Sequence, residues 1–293
     1  MIRPFQRSDR DHLTGLVNAH VQAVVPGGAV SVNALMSQLE REPGEQIVDP
    51  WVVERRTLVA VERDAVVAGA HLLRYGDDER VGESYRGLAE IRWLVCRPDA
   101  MDAGADLVAA CIETMDGWGA LRQAADGALP APFVYGIPSV WPHVRTLIAA
   151  AGFAGTGKVE IVFVADVGHL PAPRELGLEL RRSVGAWSWT RLAALRDGEG
   201  IGYVELETDF TGGGALSRFA GWADIGNLWV AEPERRRGVG TWLVGHAADW
   251  LRLGGIRRLV AYASPEQETE TAFYDATGFR ELVRTERGFV RRR

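Results

Sequence analysis

Arg235-Arg236-Arg237-Gly238-Val239-Gly240 stands between a strand-like run and a helical one, and that setting decides the fold. Upstream, Ile225-Gly226-Asn227-Leu228-Trp229-Val230 reads as a strand that stops at Pro233. Downstream, Leu243, Ala247, Trp250 and Leu251 repeat at the spacing of one helix face, and Gly254-Gly255 end the run. Glycines at a helix start let backbone N–H groups come close to a ligand, and those N–H groups have no acceptor inside the helix. With the positive end of the helix dipole and three arginines alongside, the stretch is an anion site suited to a pyrophosphate.

A dinucleotide-binding turn would read G-x-G-x-x-G with an acidic residue some way on, and neither is present. The pattern is R-x-x-G-x-G, after a strand and before a helix, followed downstream by Phe273-Tyr274-Asp275-Ala276-Thr277-Gly278-Phe279. Together these segments resemble the GCN5-related N-acetyltransferase (GNAT) family. The resemblance implies acetyl-CoA as co-substrate and direct transfer to an amine. It implies that the backbone N–H groups of Arg236, Arg237, Gly238, Val239 and Gly240 hold the pyrophosphate, with Thr241 adding a hydroxyl. Arg235 orders the turn or pairs with phosphate. The strand Leu228, Trp229 and Val230 pairs with the pantetheine amides and polarises the thioester carbonyl.

By the same resemblance Tyr274 is the candidate acid for the leaving sulfur. Asp224, upstream of Arg235 at the spacing of a glutamate base in histone-acetylating members, is the candidate base. Glu205, Glu207 and water stay open as alternatives. Strand alternation puts Asp224 on the side of Gly226, Leu228 and Val230.

The chain repeats itself. Ala89 to Val95 reads as a strand ending at Pro98, followed by a helix over Ala103–Leu121, a short strand Phe133–Tyr135, a helix over Trp141–Ala150, and Gly152-Phe153. The second half has the same order through Gly278-Phe279. The expected fold is α/β: two tandem GNAT-like units, each a mixed, mostly antiparallel twisted sheet flanked by helices. The expected domains are a degenerate unit over 1–166, a linker at 167–175 carrying Pro171 and Pro173, and a coenzyme-binding unit over 176–293. With Pro98 set against Pro233, Ala100, Asp102 and Ala103 replace Arg235, Arg237 and Gly238, and no tyrosine matches Tyr274. A β-carbon and acids at those places oppose a pyrophosphate.

Between its first two strands the first half has room for helices at Asp11–Val25 and Ser31–Glu40. In the second half, Leu178–Arg181 leads almost at once to Trp187-Ser188-Trp189. The active half therefore lacks part of an acceptor wall, which the first unit or a second subunit would supply; a homodimer is compatible with this.

Composition sets further bounds. With 293 residues and 47% hydrophobic content, two domains can bury real cores. No apolar run is long enough for a membrane span and no signal layout opens the chain, so a cytoplasmic protein without membrane attachment is expected. Cys96 and Cys111 form no metal-ligand pattern and read as reduced core residues. A net charge of −6 argues against nucleic-acid binding. Residues 1–166 hold 15 basic and 22 acidic side chains, whereas 167–293 hold 18 and 17, so an anionic coenzyme favours the second half. Gly152–Lys158 spells G-x-x-x-x-G-K, but Val159 and the strand-like run after it exclude a P-loop. The expected acceptor class is a small-molecule primary amine, as in tandem family members with a degenerate first half. The competing class is a non-catalytic acyl-CoA-binding module, which would not need Tyr274 or Asp224.

Overall fold

The computed structural model describes all residues except 41–48, 128, 130, 134, 186–187, 209–218 and 293. Among the described residues the chain divides into two compact units, 1–160 with 283–292, and 161–208 with 219–282. No helix among them is long and apolar enough to cross a membrane.

The first unit opens with β1 (Ile2–Pro4), α1 (Arg10–Val24) and α2 (Val32–Glu40). Leu13, Val17 and Val21 recur every fourth residue on α1 and are all fully buried, which fixes the face it turns inward. β2 (Val52–Glu62), β3 (Ala65–Tyr75) and β4 (Leu88–Cys96) follow, each antiparallel to the strand before it. α3 (Met101–Gly117) then returns the chain to β5 (Arg122–Ala125), parallel to β4. β6 (Ile137–Pro138), α4 (Pro142–Ala150) and β7 (Phe153–Asp166) complete the first half of the sequence. The strand expected at Phe133–Tyr135 is not found. Phe133 takes a left-handed φ of 70°, which breaks an extended run, and Val134 lies outside the described residues. The strand after α3 is Arg122–Ala125 instead.

The second half supplies β8 (Glu179–Val184), β9 (Thr190–Arg196), β10 (Glu199–Glu207) and β11 (Trp222–Val230), antiparallel in turn. α5 (Val239–Leu253) leads to β12 (Arg258–Ala263), parallel to β11, and α6 (Glu268–Ala276) leads to β13 (Arg280–Arg291). Val239, Leu243, Val244, Ala247 and Leu251 of α5 are buried against Leu192, Val204, Leu206, Ala223, Ile225, Leu259 and Ala261 of the sheet. Val167 and Leu170 of the expected linker join that core. The linker also runs close along α5, where a β-carbon at Gly245 would lie 2.7 Å from the Pro173 nitrogen.

Both units therefore have the mixed, mostly antiparallel sheet and flanking helices read from the sequence. They are not continuous pieces of chain, as a boundary at 166/167 would make them. β7 and β13 occupy equivalent places in the repeat, each after a Gly-Phe pair. Yet Ile161–Asp166 of β7 pair with β12 inside the second unit. Phe289–Arg291 of β13 pair with β5 inside the first. Each unit thus includes strand residues that the other repeat encodes.

Candidate functional site

The R-x-x-G-x-G turn joins β11 to α5 in an anion-binding conformation. Arg236 has φ 63° and Gly238, the N-cap of α5, has φ 86°. Left-handed residues spaced in this way turn successive N–H groups toward one side, forming a nest. A left-handed backbone is strained for arginine and unstrained for glycine. Trp242 makes the first helical bond, to the Gly238 carbonyl at 2.9 Å. The N–H groups of Val239, Gly240 and Thr241 therefore precede the bonded part of the helix. The arginine side chains are exposed. Arg235 does the ordering: its Nε donates to the Val230 carbonyl at 3.0 Å and ties the turn to the strand end. Gly240 has a separate reason, since a β-carbon there would crowd the Phe273 ring at 3.1 Å. These features fit a pyrophosphate: clustered free donors, positive flanks, and no side chain at Gly238.

Beside the turn, the sheet opens. The β11–β12 ladder runs only from Trp222↔Arg258 to Asp224↔Val260. Past Asp224 the edge of β11 that faced β12 has no ladder among the described residues, which leaves backbone of residues 225–230 for a ligand's amides.

β11 also carries a bulge. Ile225 pairs with Leu206 and Asn227 with Glu205, so Gly226 is one residue too many. A bulge shifts the alternation of every side chain beyond it. Asp224 accordingly shares its face with Asn227 and Trp229, opposite Glu207, Glu205 and Tyr203, and not with Leu228 and Val230 as simple alternation predicts. Leu228 and Val230 pack on the α5 side instead. An isolated glycine within a strand pattern is the one local signal for this bulge.

Asp224 is 5% exposed. Its Oδ2 accepts from the Tyr262 hydroxyl at 3.3 Å, and its buried Oδ1 has no partner among the described residues. Burial, then the nearby Glu207 charge, push its pKa up to about 7, against the weaker opposing pull of Tyr262. Its rival Glu205 is differently placed. It is fully buried but held by Arg191, whose Nε lies 2.9 Å from Oε1, and by Asn227, whose Nδ2 lies 2.7 Å from Oε2. A carboxylate so paired is a structural anchor rather than a proton acceptor.

Tyr274 lies on the other face of the sheet, in the α5 core, against Phe163, Phe273 and Phe279. Its ring is packed, its hydroxyl makes no hydrogen bond among the described residues, and burial, then Glu270, raise its pKa to about 12. It therefore keeps its proton at neutral pH and can only donate. Tyr274 and Asp224 thus lie on opposite faces of the sheet. Sequence reading did not find the Arg191–Glu205–Asn227 clamp, Tyr262 or the position of Trp189. Trp187 lies outside the described residues.

Residues 167–279 match the model of the acetyltransferase (GNAT) family. Over 99% of its length the chain is similar in fold to a tandem GNAT protein from the clavulanic acid biosynthesis pathway, with TM-score 0.65, 14% identity and 97% of that chain covered. It is equally similar to a GCN5-related N-acetyltransferase from Sphaerobacter thermophilus, with TM-score 0.65, 15% identity and 94% of that chain covered. At such identities the likeness is one of fold. No curated protein's sequence matches this chain.

Proposed function

Residues 167–279 belong to the acetyltransferase (GNAT) family and the whole chain has its tandem fold, and from this premise we propose that the protein acetylates a small-molecule primary amine at one site, in the second unit. Acetyl-CoA, as co-substrate, supplies the activated acetyl group. Val239, Gly240 and Thr241 N–H groups, with the nest around Arg236 and Gly238, hold its pyrophosphate. The free edge of Leu228, Trp229 and Val230 orients the pantetheine arm. Asp224, with a pKa near neutrality, takes the proton of the attacking ammonium, directly or through one water. Tyr274 gives a proton to the departing sulfur and is restored by the second proton that the nitrogen sheds as the amide forms, while the proton taken by Asp224 passes to solvent.

The observation that carries this reading is the Asp224 carboxylate: buried, lacking a partner on one oxygen among the described residues, and placed where β11 and β12 part. A module that only bound acyl-CoA would have no use for it. The test is thiol release from acetyl-CoA in the presence of a panel of primary amines. Amine-dependent release supports the enzyme; acetyl-CoA binding without release from any amine leaves the binding module.

A further inference from the structure

We propose that Trp189 forms the acceptor-side wall of this site and restricts it to slender primary amines, those whose nitrogen is borne on an unbranched methylene. The proposal rests on the acetyltransferase reading above and adds the class of acceptor.

In the first unit, α1 and α2 lie between β1 and β2. In the second, β8 passes into β9 with no α-helix among the described residues. What stands on the sheet face there is the end of that connection. The Gly185 N–H donates to the Trp189 carbonyl at 2.7 Å. Gly185 lies against the Glu205 carboxylate so closely that a β-carbon would collide with Oε1. The Trp189 ring lies directly on Gly226, in the space a side chain at the bulge would take. Two glycines thus let this connection sit down on the face that carries Asp224.

The floor beneath the indole is rigid. Glu205 is clamped by Arg191 and Asn227, and the Arg191 guanidinium stacks over Tyr203 at 4.3 Å. Tyr203 in turn lies against Trp229, with ring centroids 5.8 Å apart. Trp189 occupies the position between Asp224 and the 44%-exposed Trp229 along β11. An ammonium bound at Asp224 would carry its substituents beside that ring, two residues along β11. A methylene next to nitrogen fits there, whereas a carbon branch would claim the volume the indole fills. Pocket walls discriminate a single extra carbon by about 10–200-fold.

The test uses the full chain, as wild type, Trp189→Ala and Trp189→Phe. The probes are linear primary amines and their counterparts branched at the nitrogen-bearing carbon. Wild type should favour the linear partner in kcat/KM by tenfold or more on this estimate. Trp189→Ala should bring the ratio within about twofold by gaining on the branched amines, and Trp189→Phe should restore the preference. Calorimetric affinity for acetyl-CoA should be the same in all three, which shows that the fold is intact. A linear-to-branched ratio in Trp189→Ala equal to that of wild type overturns the wall while leaving the acetyltransferase reading in place. Absence of thiol release with every amine and every variant overturns both.

Discussion

The two strand-to-helix turns of this chain occupy equivalent places in equivalent folds, and they differ in almost every feature that chemistry needs. Between β11 and α5, two left-handed residues turn N–H groups to one side. Between β4 and α3, no residue from Arg97 to Ala103 has a positive φ, and the N-cap is Ala100 at φ −123°. The bulges next to them differ in the same sense. β4 carries its extra residue at Arg92, since Ile91 pairs with Leu72 and Trp93 with His71. That side chain reaches Asp126 at 3.2 Å and Glu90 at 3.7 Å. Glu90, which precedes its bulge by two residues as Asp224 does, also accepts from the Tyr75 hydroxyl at 2.7 Å. Where the second unit has glycine and a carboxylate oxygen without a partner among the described residues, the first has a guanidinium and a satisfied ion pair. A cavity of about 10 Å³ lined by Ile91, Leu94, Ala125, Ile137, Val144 and Ile148 lies beside β4 and β5, with room for at most one water. The scaffold is the same; function resides in which few positions are left open.

The largest effect expected from breaking that contrast comes at Gly238. Gly238→Asp adds a left-handed strain of about 1–2 kcal/mol and a carboxylate where a pyrophosphate must sit, so acetyl-CoA affinity should fall on the order of 10³-fold. Calorimetry on the folded variant measures it, and near-normal binding would show that the nest is not the site. On the other side of the comparison, Arg92→Ala should cost about 3 kcal/mol of stability by removing the guanidinium that faces Asp126 and the buried Glu90, while acetyl-CoA affinity stays unchanged. Denaturant unfolding and calorimetry separate the two effects.

Tyr274→Phe should keep coenzyme affinity and lower kcat about 10²-fold. Unchanged turnover would reduce Tyr274 to a packing residue. The smallest effect concerns pH. Asp224 accepts a proton only as carboxylate, so kcat/KM should climb as pH rises through about 7 and level off above it. Asp224→Asn should abolish that limb. The same group carries a stability effect with a fixed sign. Its folded pKa is raised above the unfolded value of about 3.9, so the burial penalty is absent at low pH and complete above about 7. Asp224→Asn should therefore raise Tm at about pH 8 and leave it unchanged near pH 3, where the carboxyl is protonated in both states.

Much of this was legible in the sequence because it is local. R-x-x-G-x-G between apolar periodicities defines the turn, and the Pro98/Pro233 alignment exposes the lost glycine at Ala103. What escaped is non-local. No residue in β7 or β13 announces which unit it will join: β7 ends in an apolar run and β13 is rich in charged residues, yet each follows a Gly-Phe pair. Arg122–Ala125 has no β-branched or aromatic residue and is a strand only through its neighbours β4 and β13. The bulge had a signal in Gly226, but alternation carried through it misplaces Leu228 and Val230. The Trp189 contact joins residues far apart in sequence and is visible only in three dimensions.

The most direct test of the central claim, one live site and one filled one, is the stoichiometry of acetyl-CoA binding to the full chain by titration calorimetry. A single equivalent per chain is the predicted result. Two equivalents would contradict the claim by showing that the first unit also binds, and none would contradict it by showing that the turn at Arg235–Gly240 holds no coenzyme.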